Sequence, residues 1–431
     1  RWKSESKGIN CINRLHFFDD LDTKNVDIEK ELERISETYD NFNIYACDRY
    51  LIQKDKAFQQ KMLVYTYLFY EDLFNKEVSY YFTTGIAYTY NLVSYQVSKR
   101  FGVKHISFYA IRIKNKTAVS YDLLNTFDEV TSLFEVFDKL KMTEEMYAYV
   151  NEFVKRPQQP YYMKNAINSS GIKGVFITEF FKRFDKYYFK RRHKYDLFTR
   201  NPFELGAYKL KKIAKAKTIN LLHNSIFEKP NLSEKYVIFP LHMQPEASTL
   251  VLSPFQVNQK AAIINISKLL PLNIMLYVKE HKSALGQHNL KFYRELKQYP
   301  NIKLISYNEN TFELIKHSLG SINLSSTVGL ESLLLKKPSI VLGSVFYNDS
   351  GLTYKVDSYN ELEQIIKKIN KTNFNLEDDF EDYDDKLAYY IYCLNKESYP
   401  FEFDVAKNDT KKRILARENV MEFANCVKKI L

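Results

Sequence analysis

The residues best suited to chemistry lie in four short polar runs, each starting where an apolar stretch stops: Phe239–Gln244, Val278–His281, Leu324–Glu331 and Leu342–Tyr347. Ser325, Ser326 and Thr327 open a helical pattern. Hydroxyls and open backbone N–H groups at a helix start can hold a phosphate, to which the helix field adds roughly 0.3–1 kcal/mol. An ordinary helix cap uses the same residue types. Gly329 would let a phosphate approach closely, and Glu331, about one turn further on, suits hydrogen bonds from ribose hydroxyls better than contact with phosphate. His281, flanked by Lys279 and Lys282, can donate to a phosphate oxygen and, when protonated, stabilise a departing nucleotide. Gln244 ends the first run; Glu246 is either a general base or a helix-start acid, and His242 leaves a similar choice open. Nearer the start, Asp48 is a candidate base or nucleophile, while Arg49 and Arg112 are candidates to grip an anionic sugar or acceptor.

Elements that could bring these residues together follow from periodicity. YVIF (236–239), NIMLYVK (273–279), IKLIS (302–306), GSINL (320–324) and SIVL (339–342) read as strands. Each precedes a helical pattern, at 258–270, 288–298, 311–317, 327–335 and 361–369. Strands alternating with helices predict a doubly wound parallel sheet, an α/β fold whose strand carboxyl ends share one rim. The first third reads as a second, incomplete unit of the same kind: NIYAC (43–47), VSYYF (78–82) and VKHISFY (103–109) as strands, with helices at 55–76 and 86–100. Its strand-end residues are expected to face the other rim across a cleft. The division expected is an N-terminal Rossmann-like domain over 1–117, a mainly helical basic insertion over 118–228, a second α/β domain over 229–370 and a helical tail over 371–431. The chain opens with Arg1, so residues upstream of it are expected.

Composition narrows the function classes. With 431 residues and 45% hydrophobic content, the chain can build at least two cores. No apolar run approaches the roughly 20 residues of a spanning helix. The four cysteines are scattered without CxxC spacing, which points to a reducing cytoplasm. Net charge is +11, and much of the excess lies in Lys182–Lys217, where Tyr and Phe interleave with Lys and Arg. Such a segment is either a solvated face or a surface for anionic lipid or a polyanionic glycan. Nucleic acid is disfavoured because no zinc-finger or RNA-binding signature accompanies the charge. The DxD within Phe18–Asp22 lacks the strand context of a metal site, and the acidic run Glu377–Asp385 reads as solvated. HExxH, Walker A and GxGxxG are absent, so no cofactor or metal is expected.

Four stretches carry a resemblance: FPLHMQPE (239–246), YVKEH (277–281), NLSSTVGLESLLLKKPSIVLG (323–343) and FY (346–347). Together they resemble the bacterial capsule polysaccharide biosynthesis family, whose better-known members are Kdo transferases. YFTTGIAYTYNLVSYQVSKRFGV (81–103) is similar to that family's amino-terminal half. The resemblance implies a GT-B architecture of two Rossmann-like domains with the sugar nucleotide held by the second, the ribose role for Glu331, and CMP-Kdo as donor. The family usually has His-Pro after the KEH-type strand; here Lys282 follows His281. The function expected is transfer of a sugar from a nucleotide donor to a lipid-linked or growing glycan, in the cytoplasm or peripherally on the inner face of the membrane. A teichoic-acid-type CDP-polyol phosphotransferase and a non-catalytic assembly protein remain as alternatives.

Overall fold

The computed structural model describes residues 12–39, 44–83, 88–124, 126–157, 175–189, 193–402 and 416–431. Nine strands occur among them: β1 (Tyr80–Thr83), β2 (Lys104–Ala110), β3 (Thr117–Ser120), β4 (Tyr236–Pro240), β5 (Met275–Lys279), β6 (Ile302–Ile305), β7 (Gly320–Asn323), β8 (Ser339–Val341) and β9 (Tyr354–Lys355).

Strands β4 to β9 form one parallel sheet in the order β6-β5-β4-β7-β8-β9. Successive side chains alternate between its two faces, so each strand feeds two cores. Val237 and Phe239 join Leu276, Val278, Ile322 and Ile340 on one side. Tyr236 and Ile238 pack with Tyr277, Ile305 and Leu314 on the other, where the Tyr236 and Tyr277 rings stack at 3.9 Å. All five expected strands are present. The sixth, β9, is only two residues long and leaves no periodic signal. From β4 the chain lays strands down in one direction and then returns past β4 to continue with β7. A crevice therefore opens at the carboxyl ends of β4 and β7, where the crossovers diverge.

Contacts divide the chain into unit 1, Arg1–His105 with Ile172–Ala207, and unit 2, Ile106–Gly171 with Tyr208–Leu431. The 118–228 segment is thus shared between the units rather than forming one insertion, and the expected tail is part of unit 2. Its Tyr383–Lys396 helix buries Leu387, Ile391 and Leu394 in the same core as Leu330, Leu333 and Val341. The Tyr383 hydroxyl donates to the Leu333 carbonyl at 2.8 Å and the Tyr390 hydroxyl to that of Phe346 at 2.6 Å. Thr117 and Tyr399 exchange two backbone bonds of 2.9 and 2.8 Å. The acidic run is largely paired: Asp382 and Asp385 meet Lys139, and Asp384 meets Lys336. Within unit 2, β2 turns back antiparallel into β3, from Ser107 opposite Ser120 to Ala110 opposite Thr117, a hairpin the sequence reading did not include.

Unit 1 differs from expectation at 43–47. Its described part, Ile44–Cys47, is one helical turn. The buried residues Ile44 and Cys47 are three apart, the spacing of a helix face, and this burial overrides the β propensity of the run. Asp48, 1% exposed, follows. Its Oδ1 accepts from the Tyr50 and Leu51 N–H groups at 2.8 and 3.1 Å, and its Oδ2 from the Thr89 N–H and hydroxyl, both at 2.8 Å. A carboxylate offers about four lone-pair sites and all are engaged, so Asp48 is a structural clamp rather than a base or nucleophile. Two of the three Phe18–Asp22 acids are also committed, Asp22 to Lys61, Lys194, Tyr65 and Tyr195, and Asp19 to His193, while Asp20 is exposed.

Replacing Asp48 by Ala leaves buried donors without acceptors and should lower the unfolding free energy by about 2–4 kcal/mol. Urea denaturation measures this, and a loss near zero would show that the four bonds are dispensable.

Candidate active site

At the end of β7 the Asn323 side chain organises the turn into the Thr327–Leu334 helix. Its Oδ1 accepts from the Ser326 N–H and the Tyr347 hydroxyl, both at 3.1 Å, while its Nδ2 donates to the Ile340 carbonyl at 3.2 Å. Ser326 is the helix cap, its Oγ accepting from the Val328 N–H at 3.2 Å. The Ser325 hydroxyl donates at 2.6 Å to the carbonyl of Ser248, on the segment that follows β4. It thereby ties together the two sides of the crevice. The Thr327 N–H and hydroxyl have no hydrogen-bond partner among the described residues, and both belong to a half-buried residue. Capping and an open donor therefore coexist at this helix start.

Gly329 has another purpose than the one expected. A Cβ there would lie 2.1 Å from the Tyr347 hydroxyl and 2.7 Å from Asn323 Nδ2. The missing side chain makes room for the Tyr347–Asn323 contact behind the turn, not for phosphate.

β5 contributes Lys279, followed by Glu280 and His281. Lys279 is 7% exposed, and its Nζ makes only long contacts, 3.4 and 3.5 Å, to the carbonyls of Ser306 and Tyr307. Burial pushes its ammonium down to about 8, with Glu280, Glu309 and Glu331 pulling the other way. Burial, then the charges of Lys279 and Lys212, also push His281 below the ordinary histidine value. Its Nδ1 accepts from the Ser283 N–H at 3.2 Å, so the neutral ring carries its proton on Nε2. This imidazole caps the Lys282–Ala284 turn.

Glu280 was missed in the sequence reading although it stands between two chosen residues. It is 2% exposed, accepts from the His281 N–H at 2.8 Å and the Tyr293 hydroxyl at 2.5 Å, and holds His281 in place. A carboxylate directly after a buried strand was the available signal. His242, after β4, is buried with its Nε2 unpartnered. Burial, then His281, push it down to about 4, so it is neutral. Gln259 fixes its backbone through bonds of 2.8 and 3.0 Å. Gln244 donates its amide to the Val257 carbonyl at 2.5 Å. Glu246 is half-buried at the start of the short Ala247–Leu250 helix and does not cap it through its side chain.

Arg112 and Glu331, assigned separate tasks from sequence, meet each other. Arg112 Nη1 lies 3.1 Å from Glu331 Oε1, with both side chains almost fully buried, and the guanidinium sits 5.0 Å from the Phe153 ring centroid. Arg112 is therefore engaged beneath the rim rather than open to an acceptor. Glu331 is turned toward the arginine rather than exposed for a ribose. Burial pushes the Glu331 carboxyl up to about 7, against the pull of Arg112 and Lys279. The structure thus gathers Gln244, Glu246, Lys279, His281, Ser325, Ser326, Thr327 and Glu331 at the carboxyl ends of unit 2. Asp48 and Arg49 belong to unit 1.

Residues 176–377, which include every strand of the parallel sheet, match the family model described as capsule polysaccharide biosynthesis protein. The resemblance drawn from the four motifs holds over that stretch. No curated protein sequence matches. Among solved structures, the chain is similar to the KpsC β-Kdo 2,7 transferase of Thermosulfurimonas dismutans, at 14% identity and a TM-score of 0.37, covering 83% of this chain and 89% of that one. The β-Kdo 2,4 transferase of the same KpsC aligns at 13% identity and a TM-score of 0.35, over 72% and 78% of the two chains. The UDP-GlcNAc 2-epimerase of Methanocaldococcus jannaschii aligns at 14% identity and 0.28, over 80% and 83%.

The raised Glu331 carboxyl sets a pH dependence. Below about 4.5 it is protonated in both folded and unfolded chains; between there and about 7 only the folded chain retains the proton, so its contribution to stability is lost as pH rises. From pH 5 to 7 the decline should be on the order of 2 kcal/mol for this group. Glu331→Gln should remove that part of the slope in urea denaturation, and equal slopes in both proteins would refute the assignment.

Proposed function

We propose that the protein is a glycosyltransferase of capsule polysaccharide biosynthesis that binds a nucleotide-activated sugar at the β4/β7 crevice and passes the sugar to a lipid-linked or growing glycan. The observation that carries this reading is the convergence of donors on one crevice: the open Thr327 N–H at a capped helix start, buried Lys279 and the Nε2–H of His281, within the stretch that matches the capsule family. A phosphate among them would meet a helix dipole, an ammonium and a neutral imidazole donor. Neutral His281 would donate a hydrogen bond to the leaving phosphate rather than begin as a full cation. These groups would stabilise the departing charge without a metal ion, and CMP-Kdo is the donor implied by the capsule resemblance. Glu246 and His242 remain candidates for activating the acceptor hydroxyl, His242 having the unpartnered nitrogen.

Nucleotide binding provides the direct test. In a thermal-shift series with CMP, CDP, UDP and GDP, one nucleotide should raise the melting temperature by mass action. Ser326→Ala with Thr327→Val should reduce that shift while leaving the melting temperature of the free protein within a few degrees of wild type, a range of about 1 kcal/mol. His281→Ala should lower kcat more than it raises KM. No response to any of the four nucleotides would overturn the transferase reading, and a normal kcat in His281→Ala would leave His281 with ground-state binding alone.

A lipid-linked acceptor calls for peripheral contact with the membrane. No helix among the described residues is long and apolar enough to cross one. Phe181 and Phe189 are 62% and 73% exposed, next in sequence to Lys182 and near Lys186, and the reading assigns them to anionic lipid. Lys194 pairs with Asp22, so it contributes less free charge. The triplet Lys190, Arg191 and Arg192 lies outside the described residues. Lys182→Glu with Lys186→Glu should weaken co-sedimentation with phosphatidylglycerol vesicles at low salt; undiminished binding would place the contact elsewhere.

A further inference from the structure

Unit 1 carries a second concentration of cationic and aromatic groups. Tyr50 and Tyr88 stack at 5.9 Å with ring planes 3° apart, and Tyr88 and Tyr90 at 5.5 Å with planes 6° apart. Phe198 stands edge-on to all three, at 5.8, 5.3 and 5.7 Å. Three guanidinium groups from distant parts of the chain lie on this ladder. Arg14 is 4.5 Å from the Tyr90 centroid, Arg49 is 5.7 Å from that of Tyr88, and Arg200 is 5.0 Å from that of Tyr50.

A guanidinium resting on a ring uses its face and leaves its in-plane N–H groups for another partner. Among the described residues, none of these three arginines has an ion pair or an accepting oxygen, and the buried Nε of Arg49 has no hydrogen-bond partner. The neighbouring acid cannot supply one, because every lone pair of Asp48 is engaged by Tyr50, Leu51 and Thr89. Three arginines with no ion pair among the described residues therefore share a half-buried platform, and Phe198, 41% exposed, remains open to solvent beside them.

We propose that this cluster binds a phosphorylated saccharide, with the guanidinium forks on the phosphate and the Phe198 ring against the sugar C–H groups. Phosphate oxygens match the arginine fork in geometry and charge, and an aromatic face attracts the weakly positive C–H surface of a sugar. Taken with the transferase reading, on which this clause alone rests, the acceptor is a phosphate-bearing glycan.

Binding to the full chain is measured calorimetrically without nucleotide, using glucose 6-phosphate, glucose and inorganic phosphate as probes, with flotation of phosphatidylglycerol vesicles alongside. Glucose 6-phosphate should bind, inorganic phosphate more weakly and glucose not detectably. Arg49→Lys with Arg200→Lys keeps the charge but loses the fork and should weaken glucose 6-phosphate about tenfold or more. Phe198→Ala, a change at an exposed position, should weaken glucose 6-phosphate but not inorganic phosphate, and it serves as the test if the double variant does not fold. Ser326→Ala should leave glucose 6-phosphate affinity unchanged, which separates this site from the donor crevice. The proposal is overturned by absent glucose 6-phosphate binding, by wild-type affinity in the folded variants, or by loss in Ser326→Ala. Equal affinity for inorganic phosphate would remove the saccharide, and arginine-dependent vesicle binding without glucose 6-phosphate binding would assign the cluster to lipid headgroups.

Discussion

The reversal of strand order between β4 and β7 is the constraint on which the candidate site depends. Parallel strands place all their carboxyl ends on one rim, and the reversal leaves two adjacent ends whose crossovers run in opposite directions. The loops there need not cover one another, so polar groups can remain in a depression. The Ser325 bond to the Ser248 carbonyl holds the depression at a fixed width. Asn323, Tyr347 and the absent side chain of Gly329 form a wedge behind it.

The charges at this rim form a balanced set rather than separate tools. Glu280 holds the backbone of His281, Arg112 holds Glu331, and Lys279 lies within the influence of both acids. Burial pushes Lys279, Glu280 and Glu331 toward their neutral forms, and the opposite charges beside them oppose that tendency. Such a set is responsive: an incoming anion would favour protonated Lys279 and change the protonation of the groups around it.

Sequence periodicity was enough for the parallel sheet because its strands are buried on both faces and read as nearly continuous apolar runs. YVIF and SIVL fell within a residue of their observed limits. Lys279 ends β5 and Ser325 stands two residues after β7, places that follow from the strand pattern. What sequence could not disclose was pairing between distant residues. Arg112 and Glu331 look like two free charges until the fold joins them, Asp48 looks reactive until Thr89 occupies it, and Gly329 looks like a ligand contact until Tyr347 fills its place. The short turn at Ile44–Cys47 deceived for a related reason, because four residues can satisfy a strand or a helix pattern and only burial decides.

Neither unit is continuous in sequence, and the Thr117–Tyr399 backbone pair shows what this means for biosynthesis. As the chain leaves the ribosome, the β2–β3 hairpin emerges long before the segment that completes its hydrogen bonding, and the edge of β3 must wait unpaired while the whole parallel sheet is made. The helix capped by Ser326 must likewise wait for Tyr383. Distant contacts of this kind slow folding and leave strand edges open to wrong partners. Unit 2 can therefore reach its finished form only after the segment around Tyr399 has been made.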